Sequence, residues 1–585
     1  MSKLKDSIES IRLGLPEKFF LKLEGDPGLY YKTKENSQEK ICDPIAVTAT
    51  KSNINKANFG REITFWNEYG EERTSYISKQ TLLDSKETLR TLVYEGFNAP
   101  TTYEFRRLLL SYLNQSQPAE RIIEIEKTGW VNENFDIYIC PSFTASKEGS
   151  STKERIILSQ GLKSSRFAMK GTLEEWQKNV CKYCENNENL TLILCASFGS
   201  LVLKPLRLNG ALYHLVGRSS TGKTTAAYVA ASVFGSYDFV KAWRLTSNGL
   251  EGIAECHNDA TLVLDELSQV NSKEAGNSLY MLINGSGKIR SNKEGNPKPI
   301  KTWRLNVIST GEVCIADKII ESGERVKGGQ TVRAIDIYAE IPEGFGIYND
   351  LHGLPGGGEL SNLLKQNTSL YYGVPMFEFA KGIVIKEGSI KTLEEIYKTS
   401  KERLYDHFKL EEADGQVQRV ADSFAGNIAA GIYASSDYLG ILTHNCVAIE
   451  EDNFKIFDRW LENRGSKKSQ EEEHVINHIR EYLEQNNNRF AHTKSTCSDD
   501  VTDAKSYNNP LGLVYNNSYD KKNTYYLFTG AFKNEICNGF DVKITKQILL
   551  KRGILELDVD QKSNKRCPYN IYKNKRMVTL TFIDF

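Results

Sequence analysis

The sequence predicts an α/β fold whose centre is a mostly parallel, doubly wound sheet. Three observations carry this expectation. Between residues 206 and 345, apolar strand-like segments alternate with helical stretches: ALYHLV, FVKAW, ATLVLD, WRLNVIST and VRAIDIYA. That alternation is the pattern of βα units whose ligand loops lie at the carboxyl ends of the strands. The first segment runs directly into GRSSTGKTT, Gly217 to Thr225, and then into the helix-forming AAYVAASVF. The third ends in the acidic pair Asp265 and Glu266.

Gly217, four further residues and then Gly222, Lys223 and Thr224 match a phosphate-binding loop in spacing and in strand-to-helix context. Glycines let such a chain curl so that successive N–H groups, here those through Ser219, Ser220, Thr221 and on to Thr225, point inward. The following helix N-terminus adds partial positive charge. Lys223 is expected to reach the β- and γ-phosphates and Thr224 to hold magnesium. Asp265 is expected to hold the same ion through water, and Glu266 to orient and deprotonate an attacking water. A glutamate beside the magnesium aspartate is a device for activating water, and the guanine-recognition motif NKxD is absent, so the expected reaction is hydrolysis of ATP.

The next apolar strand ends at Ser309 and Thr310, with Glu312 beyond. Either hydroxyl could sense the γ-phosphate. Arg333 begins the last core strand, a place from which an arginine can cross a subunit boundary to a neighbour's ATP; Arg325 is the rival. Arg419, in the helical stretch QVQRVADSF, is expected to close over the nucleotide from a lid.

The rest of the chain falls into further blocks. Residues 1–42 are polar and Lys/Glu-rich and read as a poorly packed lead-in. Residues 43–205 read as a mixed α/β domain without a catalytic signature, in which Trp130, Phe135 and Tyr138 could stack bases. Residues 346–464 are helical by period and form the expected lid region. Residues 465–585 combine a linker with helices and a strand-turn-strand tail, the pattern of a winged helix.

At 585 residues the chain is long enough for roughly three to four domains. Lys plus Arg equals Asp plus Glu at 75 each, so attraction to nucleic acid has to come from local patches. Eleven scattered cysteines and an N-terminus without an apolar core point to a reducing intracellular compartment. Cys181 and Cys184 form a CxxC without a second pair at zinc spacing. The apolar run LTLILCASFGSLVL is too short and too mixed for a membrane span and reads as a buried helix.

One patch stands out. Asn284 to Arg304 holds Lys288, Arg290, Lys293, Lys298, Lys301 and Arg304 against Glu294 alone, six positive charges minus one negative, or +5 in a neutral chain. Gly295, Pro297 and Pro299 between two strand-like arms predict a β-hairpin with its tip at 292–297. In a ring of subunits this hairpin would project toward a central channel and its lysines would grip the phosphates of a threaded single strand. A second basic stretch, 561–576, includes Lys573, Lys575 and Arg576 interleaved with Tyr569 and Tyr572, and fits a wing lying on a duplex backbone.

The runs VGRSSTGKTTAAYVAASVFG, LTSNGLEGIAECHNDATLVLDELSQ, YMLINGSGKIR, TWRLNVISTGE and GGQTVRAIDI together resemble a family of helicases encoded by mobile elements such as staphylococcal cassette chromosomes, long known only as a domain of unknown function. The family is similar to the MCM replicative helicases. The resemblance is dense over 200–340 and weaker elsewhere. It implies an AAA+ core with a hairpin before the sensor strand, a 3′-to-5′ ATP-driven DNA helicase, a hexameric ring, and a bacterial cytoplasmic role in replicating the element after excision. Lys223, Thr224, Asp265 and Glu266 match the family's nucleotide motifs and Arg333 its finger position. MCM proteins usually place Asn at the sensor, where this chain offers Ser309 and Thr310, and the N-terminal region lacks the zinc-binding cysteines many of them carry. Two other readings remain: a DNA-binding initiator that oligomerises with ATP without unwinding, and a superfamily 3 primase-helicase, which would need a carboxylate triad within 43–200.

Overall fold

The structure, a computed structural model, describes residues 4, 8–33, 35, 37–147, 154–159, 166–270, 272–291, 295, 297, 300–321, 333–342, 344–464, 470–493, 501–502, 509–517, 522–558, 564–569, 572 and 575–583. The chain divides into two units: residues 1–409 with 419–460, and residues 410–418 with 461–585.

In the first unit, residues expected to be a loose lead-in form an antiparallel sheet of β1 (Phe19–Lys22), β2 (Gly28–Lys32) and β3 (Gln38–Cys42). Lys32 and Glu39 are exposed on it, while Phe19, Leu29, Ile41 and Cys42 enter a core shared with Ile45, Val47 and Phe65. Strands with one outward face hide inside a polar composition, because only alternate side chains need be apolar. The adjoining sheet is built from β4 (Ile45–Asn53), β5 (Gly60–Trp66), β6 (Glu72–Ser78), β7 (Glu120–Ile125) and β11 (Arg155–Leu158), in the order β11-β7-β4-β5-β6. Two amphipathic helices, α1 (Ser85–Tyr94) and α2 (Tyr103–Gln115), bury Leu92, Leu109, Tyr112 and Leu113. In the chain between β7 and β11 comes a small sheet of β8 (Gly129–Trp130), β9 (Ile137–Ile139) and β10 (Thr144–Ser146).

Trp130 and Tyr138 are 5% and 0% exposed and meet edge-on at 4.9 Å, with Phe135 also edge-on to Trp130 at 5.5 Å. These aromatics are engaged with one another and do not offer faces to bases. The run read as a buried helix is one: α3 (Glu188–Val202) is buried at every position. Among the described residues, no helix is long and apolar enough to cross a membrane. Cys181 and Cys184 are fully buried, burial raises both thiols, and no metal-ligating cluster occurs among the described residues.

The predicted parallel sheet comprises β12 (Leu212–Val216), β13 (Lys241–Ala242), β14 (Leu262–Asp265), β15 (Val307–Gly311) and β16 (Ala334–Tyr338). Their order is β13-β14-β15-β12-β16, and every pairing is parallel. Strands buried on both faces read as continuous apolar runs, so the sequence carries no sign of which side chain faces which way. Helices α4 (Lys223–Ser232), α5 (Ser247–Cys256), α6 (Ser272–Asn284) and α7 (Ile315–Ile320) connect them, and α8 (Gly357–Leu370) and α9 (Val374–Ile385) follow. Strand β15 lies between β12 and β14, so whatever ends it stands between the loop after β12 and the acids after β14.

The second unit holds α10 (Gln470–Gln485), α11 (Val542–Lys551) and a mixed sheet. In that sheet β17 (Lys565–Arg566) pairs antiparallel with β18 (Arg576–Ile583). The core of the unit gathers Ile479, Leu483, Phe490, Leu527, Leu549 and Leu580. The side chain of Asp541 caps α11, accepting from the N–H groups of Lys543 and Ile544.

Asp336 of β16 is mostly buried, accepts from the N–H of Ile315 at 3.2 Å, and is pushed up by burial to about 7. Its protonated form is therefore favoured in the fold relative to the unfolded chain. That contribution is complete below about pH 4 and is lost as pH rises through about 7. Asp336→Asn keeps the acceptor and removes the charge, so it should raise stability at about pH 8 by on the order of 2 kcal/mol and leave it unchanged near pH 4, measured by denaturant unfolding at both values.

Candidate nucleotide site and basic hairpin

The loop after β12 is shaped by its own backbone. Ser220 and Gly222 adopt positive φ, +63° and +99°. At Gly222 an added Cβ would lie 2.6 Å from the Cγ2 of Ile347, so glycine is required by both backbone and space. The Ile347 N–H donates to the Thr221 carbonyl at 2.9 Å. The ammonium of Lys223, buried at the start of α4, donates to the carbonyls of Gly217 at 2.8 Å and Arg218 at 2.6 Å. Burial lowers its pKa, against the pull of Glu312, Glu266, Asp265 and Glu340.

Thr224 donates to Asp265 at 3.4 Å, which links the loop to the acidic strand. Thr310 donates to the same carboxylate oxygen and accepts the N–H of Glu266 at 3.0 Å. Glu266 is held at φ 65°, ψ 75°, a left-handed conformation that costs a residue with a Cβ about 1–3 kcal/mol and persists where the surroundings impose it. Its carboxylate accepts from the Ser268 hydroxyl.

Of the two sensor candidates, the structure brings Thr310 to the site and turns Ser309 away. Ser309 is fully buried on the opposite side of β15, where Trp243 Nε1 donates to it at 2.9 Å and His214 Nδ1 lies at 2.9 Å. His214 Nε2 lies 3.0 Å from the Val313 carbonyl, and burial lowers the imidazole to about 4. A neutral ring protonated on Nε2 satisfies the whole chain of bonds, with Ser309 donating to Nδ1.

The open cleft above the loop measures about 810 Å³. Its walls include the loop from Arg218 to Thr225, Glu266, Thr310 and Glu312, while Gly217 and Asp265 are not part of them. They also include Glu340, Phe345, Tyr348, Ser361 and Asn362, which the sequence does not single out. Arg218 donates through Nε, Nη2 and its backbone N–H to Glu340, and these bonds hold that carboxyl down at about 2. Phe345 is 54% exposed in the cleft. The glycine-rich stretches around 344–346 and 356–358 are the one available signal for these walls. Arg419 is exposed and does not line the cleft; α8 contributes the wall expected of it. Arg333 lies at the opposite end of the sheet, where its guanidinium donates to the Asn284 side chain at 3.4 Å, and Arg325 falls outside the described residues.

The donor set fits a nucleotide with magnesium. The Lys223 ammonium rests on two loop carbonyls that a phosphate could replace, and the Thr224 hydroxyl and Asp265 carboxylate converge where a divalent ion would be held.

The predicted hairpin has paired arms. Ser286 bridges Thr302 and Ser291 bridges Pro297, and the Gly287 N–H donates to the Lys301 carbonyl at 2.8 Å. Several of its charges are committed to the protein. Arg290 pairs with the buried Glu251 at 2.6 Å and Lys301 with Glu255 at 2.6 Å, both acids on α5. Arg304 approaches Asp259 at 3.9 Å. Arg290 and Lys301, read as DNA contacts, are thus ion-paired within the chain; Lys288 is exposed, and Lys293 and Lys298 lie outside the described residues. In the second unit Lys575 is exposed, 4.4 Å from the centre of the Phe528 ring, and Arg576 pairs with Asp558 at 3.8 Å. Lys573 lies outside the described residues, and Tyr569, 5% exposed, is core and not a surface contact.

No curated protein matches the sequence. Among solved structures, one described as "SCCmec type IV Cch - active helicase" superposes with a TM-score of 0.71 at 18% identity, covering 97% of this chain and 98% of that one. A second, the apo C-terminal region of NrS-1, reaches a TM-score of only 0.25 at 10% identity, over 70% of this chain and 91% of that one, too low for a shared fold. Residues 22–302 match the family described as "Domain of unknown function (DUF927)". Over residues 22–302 the chain is thus similar to the domain described as DUF927, and nearly end to end it shares the fold of the structure described as an active helicase.

Proposed function

We propose that the chain is an ATP-dependent DNA helicase that works as a ring of identical subunits, most simply a hexamer, in the replication of a bacterial mobile element. The carrying observation is the convergence of Lys223, Thr224, Glu266 and Thr310 on one cleft, with Asp265 bonded to both Thr224 and Thr310 behind its wall. The fold shared with a protein described as an active helicase supports the same reading. On this reading the parallel sheet is an AAA+ core, the helices after it a lid, and the C-terminal unit a winged helix.

Lys223 exchanges its two loop carbonyls for phosphate oxygens, and the loop amides and α4 N-terminus receive the remaining negative charge. Magnesium, held by Thr224 and Asp265, neutralises charge on the phosphates when bound. Glu266 accepts the proton of the attacking water. Thr310, through its bonds to Asp265 and to the Glu266 amide, keeps base and ion ligand at fixed separation. Single-stranded DNA runs along Lys288, Lys293 and Lys298 of the hairpins, and Lys575 gives the C-terminal unit a duplex contact.

Arg333 gives the reading its oligomeric content. Strands β12 and β16 are in parallel register, Leu212 with Ala334 and Val216 with Tyr338. Arg333 therefore stands just before the strand pair, level with Ala211, and the phosphate loop just after it from Gly217, about 20 Å apart at roughly 3.3 Å per residue. Its side chain serves a neighbour's nucleotide and not its own.

Glu266→Gln should bind ATP and form the ring while turnover falls by at least ~100-fold; normal hydrolysis by this variant would remove the proposed base. Arg333→Ala and Lys223→Ala subunits, each inactive alone, should recover ATPase when mixed, because a mixed interface pairs an intact loop with an intact finger. No recovery at any ratio would count against a shared site. Strand separation on a forked substrate distinguishes the helicase from an initiator, which would bind DNA and hydrolyse ATP without displacing the strand.

A further inference from the structure

The hairpin is joined to the catalytic sheet twice. One connection is covalent: its second arm continues through Trp303 and Arg304 into β15, which carries Thr310 near its end. A hairpin held by one strand alone would pivot about it. The other connection is a ladder of three acids four residues apart, Glu251 and Glu255 on α5 and Asp259 in the turn that leads into β14. Glu251 is 1% exposed, pairs with Arg290 of the first arm at 2.6 Å and accepts the N–H of Lys288 at 3.2 Å. Glu255 pairs with Lys301 of the second arm at 2.6 Å. Asp259 is 2% exposed and faces Arg304; its N–H donates to the Arg304 carbonyl at 2.7 Å.

The last rung also reaches the N-terminal sheets. The Asp259 carboxylate accepts the Trp130 N–H at 3.3 Å, and its carbonyl accepts the Tyr138 hydroxyl at 2.9 Å. Asn258 beside it donates to the Thr128 carbonyl at 2.8 Å and accepts the Arg304 N–H at 3.0 Å. Gly129 is held at φ +111°, and a Cβ there would overlap the Asp259 side chain at 2.5 Å. The contact therefore depends on the absence of a side chain. Lys127 donates to Thr302 at the hairpin's base.

We propose that Glu251, Glu255 and Asp259 are positioning residues that make the hairpin a rigid extension of β14 and β15 together, so that a shift at Asp265 and Thr310 is delivered to the hairpin as displacement. The inference rests on the helicase reading and names how its power stroke is transmitted. None of the three acids lines the nucleotide cleft, so the nucleotide chemistry should proceed without them while its coupling to DNA should not. Arg290 and Lys301 then act as fasteners of the hairpin, and the phosphate grip passes to lysines such as the exposed Lys288.

The Glu255–Lys301 pair is partly exposed, so reversing it should leave the fold intact. The full chain is compared as wild type, Glu255→Lys, Lys301→Glu and the double exchange. Basal ATPase, ATPase with single-stranded DNA, and base pairs unwound per ATP are measured, and thermal unfolding checks each variant. Each single exchange should keep basal ATPase within about twofold and lower base pairs unwound per ATP by about fivefold, with the double exchange restoring most of the loss. Single exchanges that unwind with wild-type yield would overturn the inference, as would a folded double exchange that recovers nothing. Should a single exchange fail to fold, Glu255→Gln takes its place, with Lys301→Gln as its partner, and the same loss of yield is required of each. A wild-type chain that hydrolyses ATP but never separates strands would instead bring down the helicase reading, and this inference with it.

Discussion

The hydroxyl of Thr310 is the point on which the site depends. It touches the Asp265 carboxylate on one side and the Glu266 amide on the other, and it can do so only because β15 lies between β12 and β14. Sheet order puts a polar residue between phosphate loop and acidic pair, and that bond helps to sustain the strain of a left-handed glutamate. The same strand continues backward into the basic hairpin, so one stretch of backbone joins the chemistry to the surface that would hold DNA.

The elements legible in the sequence are those written in local spacing. Gly217, Gly222 and Lys223 sit within one turn of chain, Asp265 and Glu266 end an apolar run, and the hairpin arms flank a Gly/Pro tip. Contacts made across the fold are not legible. Nothing in WRLNVIST tells which of Ser309 and Thr310 faces the cleft, because a strand covered on both faces carries no polar alternation; only the partners His214 and Trp243 decide it. Glu251 and Glu255 precede Arg290 and Lys301 by 39 and 46 positions in the chain, and their spacing on α5 looks like any solvated helix face. The residues before 43 read as loose for a related reason, since their outward Lys and Glu mask the inward side chains that make them strands.

Charge in this protein is used more for architecture than its composition suggests. Among the described residues of the densest basic segment, Arg290, Lys301 and Arg304 face acids of the same chain, and Arg218 at the mouth of the cleft is engaged by Glu340. A patch can therefore be rich in arginine and lysine while offering few of them to a polyanion.

Lys223 has a further consequence through the carbonyls of Gly217 and Arg218. Its ammonium is already solvated by backbone, and the Ile347 bond to Thr221 braces the curl from outside. The loop thus supports its own shape, and on the proposed reading it receives each triphosphate without refolding. In the proposed ring, a subunit between turnovers can idle with its curl intact.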